Sequence, residues 1–283
     1  MLNGFALGMI YVLVALGMSI IVGMVGIINF AHGIFFAVGA YFAYEVQKLL
    51  GLGGALVLSP ILVGILGMVI EIGLFKRLYN KDPLLGLLLT FGLSLVGEQL
   101  LRIIWGTAGK PFDLPRDLAQ SINLFGLDYS EYRLLVLAGT VVLVVAIWLA
   151  LEKTRYGRII RAGSRDPEMV SMLGINLSRI FTLVVGLGTL TAGVAGVVAA
   201  PLWGVQPSMG TGAIMPAFVV VTLGGLGSFW GPVIGGIIVG EAISLSVLFF
   251  PPISETIMYI LMAIVLLVRP RGIMGEKWER FEA

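Results

Sequence analysis

Residues 1–44, MLNGFALGMIYVLVALGMSIIVGMVGIINFAHGIFFAVGAYFAY, contain no Lys, Arg, Asp or Glu. A second stretch of the same kind runs from Ile180 to Gly240. A bilayer crossing needs about 20 apolar residues, so these two stretches alone hold four or five crossings. The whole chain agrees: 58% of its residues are hydrophobic and 12% are charged, where soluble domains carry about 25% charged residues. Backbone polar groups inside lipid must be paired within the protein, and no barrel-like alternation is present, so the spans are helices. The expected fold is all-α, a polytopic transmembrane bundle of eight or nine spans that includes broken or re-entrant segments. The spans fall near 3–27, 30–49, 54–75, 84–105, 132–151, 180–202, 213–227, 232–250 and 256–268, the seventh being short and glycine-rich. Residues 1–283 make one transmembrane domain with no room for a separate soluble one.

Orientation follows from basic residues in short loops. Lys76, Arg77 and Lys81, six basic residues between 152 and 179, and Arg269, Arg271, Lys277 and Arg280 form three clusters. With all three on the cytoplasmic side, 13 of the 18 Lys and Arg lie there. The 106–131 loop is then external, with Asp113, Asp117, Asp128 and Glu131 against Lys110 and Arg116. Nine spans put the N-terminus outside; eight put both termini inside. No secretory signal pattern is evident.

Between two of the apolar stretches lies EKTRYGRIIRAGSRDPEMVSMLGINLSR, Glu152–Arg179. It carries Lys153, Arg155, Arg158, Arg161, Arg165 and Arg179 against Glu152, Asp166 and Glu168. A short helix is punctuated inside it: Asp166 as N-cap, Pro167 at the first turn, Glu168 at the positive end of the dipole, and Gly174 as terminator. Met169, Met172 and Leu173 fall at i, i+3 and i+4 and give it an apolar face. Seven residues make roughly 10 Å of helix, too short to cross and long enough to dock on a partner. The plainer reading is a cytoplasmic loop whose charges set topology.

Two segments read as broken helices, residues 23–33 and 224–232, each setting glycines and polar residues or proline between apolar runs. They occupy corresponding places in the two halves of the chain, and transporters often place their site at such breaks. Asn29, His32, Gly33 and Gly227 are accordingly candidates for a substrate path. Glu98 and Arg102, four apart, can pair on one helix face, either as a gate or as a structural pair near the outer end. Glu241 has no local partner, and intramembrane carboxylates are functional candidates. Gly4 and Gly8, Gly227 and Gly231, and Gly236 and Gly240 have the spacing that lets helix backbones approach.

The chain has no cysteine and one histidine, so no transition-metal site is expected, nor any other cofactor. GTAGKP, Gly106–Pro111, lacks the spacing and hydroxyl of a phosphate-binding loop, and no nucleophile elbow or HExxH is present. The chain is not expected to be an enzyme or to bind nucleic acid.

VGMVGIINFAHGIFFAVGAY, Val22–Tyr41, resembles the NFAHG segment of branched-chain amino acid permeases of ABC importers. GRIIRA, Gly157–Ala162, with GIN, Gly174–Asn176, resembles that family's cytoplasmic loop, and GGLGSFWGPVIGG, Gly224–Gly236, and RPRG, Arg269–Gly272, match in the same order. The resemblance implies a permease subunit of a bacterial or archaeal inner membrane. It implies three kinds of partner within the lipid bilayer and at its faces: a second, homologous permease, expected as a heterodimer, two cytoplasmic ATPases, and an external substrate-binding protein. Carried over, Arg161, Asp166, Glu168, Met169, Met172, Leu173, Gly174 and Asn176 would form the region that couples to an ATPase. Leucine, isoleucine and valine are the implied substrates, and urea or short amides the alternative. An ion-coupled secondary transporter is the rival class, with Glu241 and Glu98 as its only carboxylates of note.

Overall fold

The computed structural model describes residues 2–275 apart from 27, 80, 116, 117, 119, 125 and 126. Of the charges used for orientation, Arg116, Asp117, Lys277 and Arg280 lie outside the described residues. The helices are α1 (Leu2–Val25), α2 (His32–Gly73), α3 (Pro83–Trp105), α4 (Glu131–Lys153), α5 (Arg155–Arg165), α6 (Pro167–Met172), α7 (Leu177–Trp203), α8 (Met209–Gly224), α9 (Trp230–Phe249) and α10 (Ile257–Val268). The 106–131 loop departs from the all-helical expectation. It forms a small antiparallel hairpin, β1 (Ser121–Leu124) with β2 (Leu127–Ser130), whose register pairs Ser121 with Ser130.

The 42 residues of α2 would reach about 63 Å if straight, roughly twice the hydrocarbon thickness. They do not run straight. Gly51 holds φ +69° and ψ −177°, a conformation open to glycine alone at little cost. Gly39 before it and Pro60 and Val63 after it all meet Gly193 of α7. A straight helix would separate residues 39 and 63 by about 36 Å. Thus α2 folds back as two passes, matching the expected spans 30–49 and 54–75. Six helices among the described residues are long and apolar enough to cross a membrane, and α8 and α10 are shorter. With α2 folded, the passes fall within the expected eight or nine.

The core is built on α1 and α7. Their most apolar windows are 83% and 78% buried, against 17% for α3 and 22% for α4, which present Leu88, Phe91, Ile103 and Val142 outward. Apolarity alone does not decide which helix is central, since lipid accepts apolar faces as readily as protein does; α1 is the one enclosed by other helices. Glycine makes the contact close: a Cβ on Gly8 would stand 2.7 Å from the Gly236 carbonyl oxygen, and the Cα of Gly8 leaves no room for one on Gly240. The two small-residue stripes expected from spacing therefore face each other across α1 and α9. Since lipid gives helices little reason to associate by apolarity alone, such backbone approach is what holds them.

The two ends of the bundle separate by charge. At one end Tyr129 donates to the Leu2 carbonyl (2.9 Å), Arg133 bonds Asn3, Gln47 donates to the Asp113 carbonyl, and Lys110 pairs with Val205. At the other end Tyr79 and Thr182 converge on Glu71, Met24 meets Gly163, and Ile273 and Met274 donate to the Leu223 and Gly224 carbonyls at 2.9 Å each. The described members of all three basic clusters share that second end, and the described part of the 106–131 loop lies with Leu2 at the first.

Candidate functional site

After α1 ends at Val25, the chain climbs back into the bundle before α2 begins. His32 reaches the middle of α1: its Nε2 donates to the Val14 carbonyl at 3.0 Å, and a Cβ on Gly17 would lie 3.1 Å from its Cε1. Because a carbonyl only accepts, Nε2 carries the proton and Nδ1 is left as an acceptor. Non-helical backbone at this depth must be served by protein. Thr90 of α3 serves it: its hydroxyl accepts from the Phe30 N–H at 3.2 Å and lies 3.1 and 3.4 Å from the Leu87 and Ile28 carbonyls. The His32 N–H donates to the Asn29 carbonyl at 3.1 Å. The Asn29 side chain is 1% exposed, and neither its oxygen nor its nitrogen has a partner; His32 Nδ1 also lacks one. Buried polar atoms without partners are uncommon enough to mark a place where something else can bind.

The second break, 225–229, lies at the basic end of the bundle. Gly225 and Gly227 hold φ of +106° and +78°. Its polar groups bond locally: the Ser228 N–H and hydroxyl both reach the Gly225 carbonyl (3.2 and 2.8 Å), and Ser19 of α1 donates to the Ser228 carbonyl (2.8 Å). Gly227 packs on Gly23, where a Cβ would lie 3.1 Å from its Cα. The second break therefore packs, glycine to glycine, on the last turns of α1.

The remaining path candidates are dispersed. Gly33 serves packing, its backbone set against that of Gly210 on α8. Glu98 bonds Arg102 and Thr211, each at 2.6 Å, and so ties α3 to α8. Glu241 stands against Gly4 in the first turn of α1, where a Cβ would lie 2.7 Å from a carboxylate oxygen, and both its oxygens are buried without a partner. Of these candidates only Asn29, His32 and Gly33 share one locality.

The 152–179 island holds two helices where one was expected. Spacing placed α6 well: the Asp166 carboxylate accepts from the Met169 N–H at 2.9 Å, and Gly174 ends the run at φ +76°. Asn176 caps α7 in the same way through the Arg179 N–H, 3.2 Å away. The expected apolar face is not packed on its own chain. Met169, Met172 and Leu173 are 61%, 83% and 73% exposed, while Val170, 4% exposed, anchors the helix. The missed helix is α5, whose first turn is capped by Thr154 through the Gly157 N–H at 3.1 Å. Arg161 belongs to it and pairs with Glu152, away from α6.

Sequence reading also passed over Glu71, which is fully buried near the C-terminal end of α2. Its two oxygens accept from Tyr79 and Thr182, joining α2, the 74–82 loop and the base of α7. Burial and that carboxylate push the Tyr79 phenol far above its ordinary range, so it remains the donor. The signal was a lone acid at the end of an apolar run with a tyrosine eight residues on. Among the described residues no group of His, Asp or Glu is arranged to hold a metal.

Comparison with known proteins gives these features a lineage. The family model described as the permease component of branched-chain amino acid transport systems matches residues 1–266. The high-affinity branched-chain amino acid transport system permease protein LivH of Escherichia coli K12 is 31% identical over 97% of this chain and 94% of its own. LivH of Salmonella typhimurium and the corresponding permease BraD of Pseudomonas aeruginosa are each 30% identical with the same coverage. No solved structure matches the chain. The match spans the glycine-packed bundle, both breaks and the island alike, and this multi-pass membrane protein belongs to the branched-chain amino acid permease family.

Proposed function

We propose that the chain is one permease subunit of an ABC importer that brings branched-chain amino acids inward, powered by ATPases on separate chains. The observation that carries this reading is α6: a capped helix at the basic end of the bundle, anchored by Val170 and holding Met169, Met172 and Leu173 out to solvent. A soluble loop has no reason to order a helix and leave its large apolar side chains wet; a groove on a cytoplasmic partner would cover them. In this reading residues 152–179 form the coupling region, with Arg161, Asp166, Glu168, Gly174 and Asn176 shaping it. A second, paralogous permease completes the translocation path, and a substrate-binding protein delivers cargo to the face bearing the 106–131 loop.

ATP closes the ATPase pair, the docked helices move with it, and the bundle switches between inward-open and outward-open states. The path residues are Asn29 and His32, whose free polar atoms are neutral. Neutral groups among apolar walls pass a small zwitterion whose charges cancel, and they suit a short amide equally. That observation keeps urea and short amides as the second cargo class.

Met172→Asp places a charge on the exposed face without touching Val170. ATP-driven leucine uptake should fall at least about tenfold, with the chain at normal levels in the membrane and P-loop ATPases no longer copurifying. Unchanged uptake would remove the docking role, and uptake in vesicles without ATP would move the chain to the ion-coupled class. Competition by urea or acetamide, with no competition by valine, would reassign the cargo.

A further inference from the structure

A cleft of about 660 Å³ opens between the 74–82 loop and α3. Leu85, Leu88, Leu89, Gly92, Leu93 and Val96 line it from α3. They form one stripe at helical spacing that runs about 16 Å from the basic end of the bundle toward the middle of the span. Leu74 and Leu78 close the cleft from the loop, where Arg77 and Lys81 also line it. We propose that this cleft binds an anionic glycerophospholipid. Arg77 and Lys81 receive the headgroup phosphate, and one acyl chain lies along the α3 stripe.

The loop holds its charges in a fixed place. Phe75 is buried, Tyr79 donates to Glu71, and the Tyr79 ring meets Phe181 edge-on at 5.1 Å. Asp82 is the one acid of residues 74–82, and its carboxylate caps α3 by accepting from the Leu84 N–H at 2.9 Å. Lys76, Arg77 and Lys81 stand against it, so the loop carries a surplus of positive charge. The ion pairs among the described residues take Lys48, Arg102 and Arg161, and Arg77 and Lys81 enter none of them. A guanidinium and an ammonium without a carboxylate of their own, at the level where headgroups lie, suit a phosphodiester.

The rest of the lining selects the other half of the ligand. Leu85, Leu88 and Val96 are 47%, 70% and 56% exposed, and the apolar window of α3 is only 17% buried, so the cleft opens to lipid. Apart from the two cations its lining is leucine, valine and glycine, and a zwitterionic cargo would find no acceptor there for its ammonium group. A partner's helix packs best through small residues that let backbones approach, and the stripe has one, Gly92. A flexible acyl chain needs no matching surface. Gly92 widens the cleft for it: a Cβ there would meet nothing within 4 Å.

The test uses the full chain with whatever subunits copurify, reconstituted in phosphatidylcholine vesicles. A small fraction of the lipid is phosphatidylglycerol, or in the parallel series phosphatidylcholine, with a photoreactive diazirine on its acyl chain. After irradiation the labelled peptides are mapped by mass. Labelling of 85–96 is divided by that of the charge-free 139–149 segment of α4, where Val142 is 67% exposed. The ratio for phosphatidylglycerol should exceed that for phosphatidylcholine at least about fivefold, the effect of one basic side chain on an anionic lipid. Arg77→Gln/Lys81→Gln should remove the excess. So should Gly92→Phe, which fills the cleft from an open position and leaves both cations. Equal ratios for the two lipids in the unmodified protein overturn the proposal without recourse to any variant. An excess that survives the loss of both cations overturns it as well. So does one that survives Gly92→Phe, because attraction to a charged surface would then suffice. Labelling of α4 with none on 85–96 by either lipid also overturns it, placing a protein partner over the cleft.

Discussion

The two helix interruptions, 26–31 and 225–229, each open on a glycine and set one polar side chain among apolar ones, and they do different things. The second is self-sufficient. Its turn closes through Ser228 on the Gly225 carbonyl, and its neighbours Leu223 and Gly224 are bonded by the 273–274 backbone. It sits where the chain turns at the basic end of the bundle. The first lies halfway through the bundle and depends on other helices, on Thr90 for its backbone and on Val14 for His32. Even then Asn29 is left over. A polar residue at a helix break can be there to satisfy backbone or to be available to something else. Depth and partner accounting tell these apart, and composition does not.

Gly33→Leu tests whether the deep break is fixed in place. A Cβ at Gly33 would collide with the Gly210 carbonyl oxygen and stand 3.0 Å from the Ile214 Cβ. Backbone cannot move aside as a flexible side chain can, so the variant should lose about 3 kcal/mol or more. It should show as loss of the folded chain in detergent. A thermal midpoint close to that of the unmodified protein would mean the deep break is mobile, and the contrast with 225–229 would fail.

Gly227→Ala makes the matching probe of the second break. At φ +78° an L-residue is strained by about 1–2 kcal/mol. The turn is held by its own hydrogen bonds, so the chain should fold with a modestly lower midpoint and keep its uptake. An effect as large as that of Gly33→Leu would show that the two breaks are equally constrained.

Much of this was legible in advance, and the reasons are physical. A charge-free run of lipid-crossing length has few alternatives, so the spans fell where expected. The α6 caps were readable because Asp-Pro-Glu and a later glycine act locally, within one turn. The Gly4/Gly8 and Gly236/Gly240 stripes announced close packing, although spacing alone could not say that they would meet each other. What escaped depended on tertiary placement. With its arginines, α5 reads as a solvated loop until Ile159 and Ile160 find the core. Glu71 reads as the polar end of a span until Tyr79 and Thr182 close on it. Val170, the residue that packs inward and holds α6 in place, was not singled out, because a six-residue helix has no periodicity long enough to fix its rotation.

Asn29→Leu gives the smallest change in stability and the sharpest reading of the deep break. An amide buried without partners carries its desolvation cost uncompensated, so an apolar side chain of similar size should leave stability unchanged or raise it by up to about 1 kcal/mol. If the amide instead meets the cargo in passage, the same substitution removes a hydrogen bond. At about 1.4 kcal/mol that is a tenfold loss of uptake. Opposite movements of stability and uptake are what a group held for a ligand must show, because its cost in the empty protein and its value in transport come from the same unpaired atoms. A fall in both would make Asn29 a packing residue whose partner had gone unrecognised. Full uptake with raised stability would place the path elsewhere and leave Glu241, the other buried side chain with unpartnered oxygens at an α1 contact, as the next group to replace.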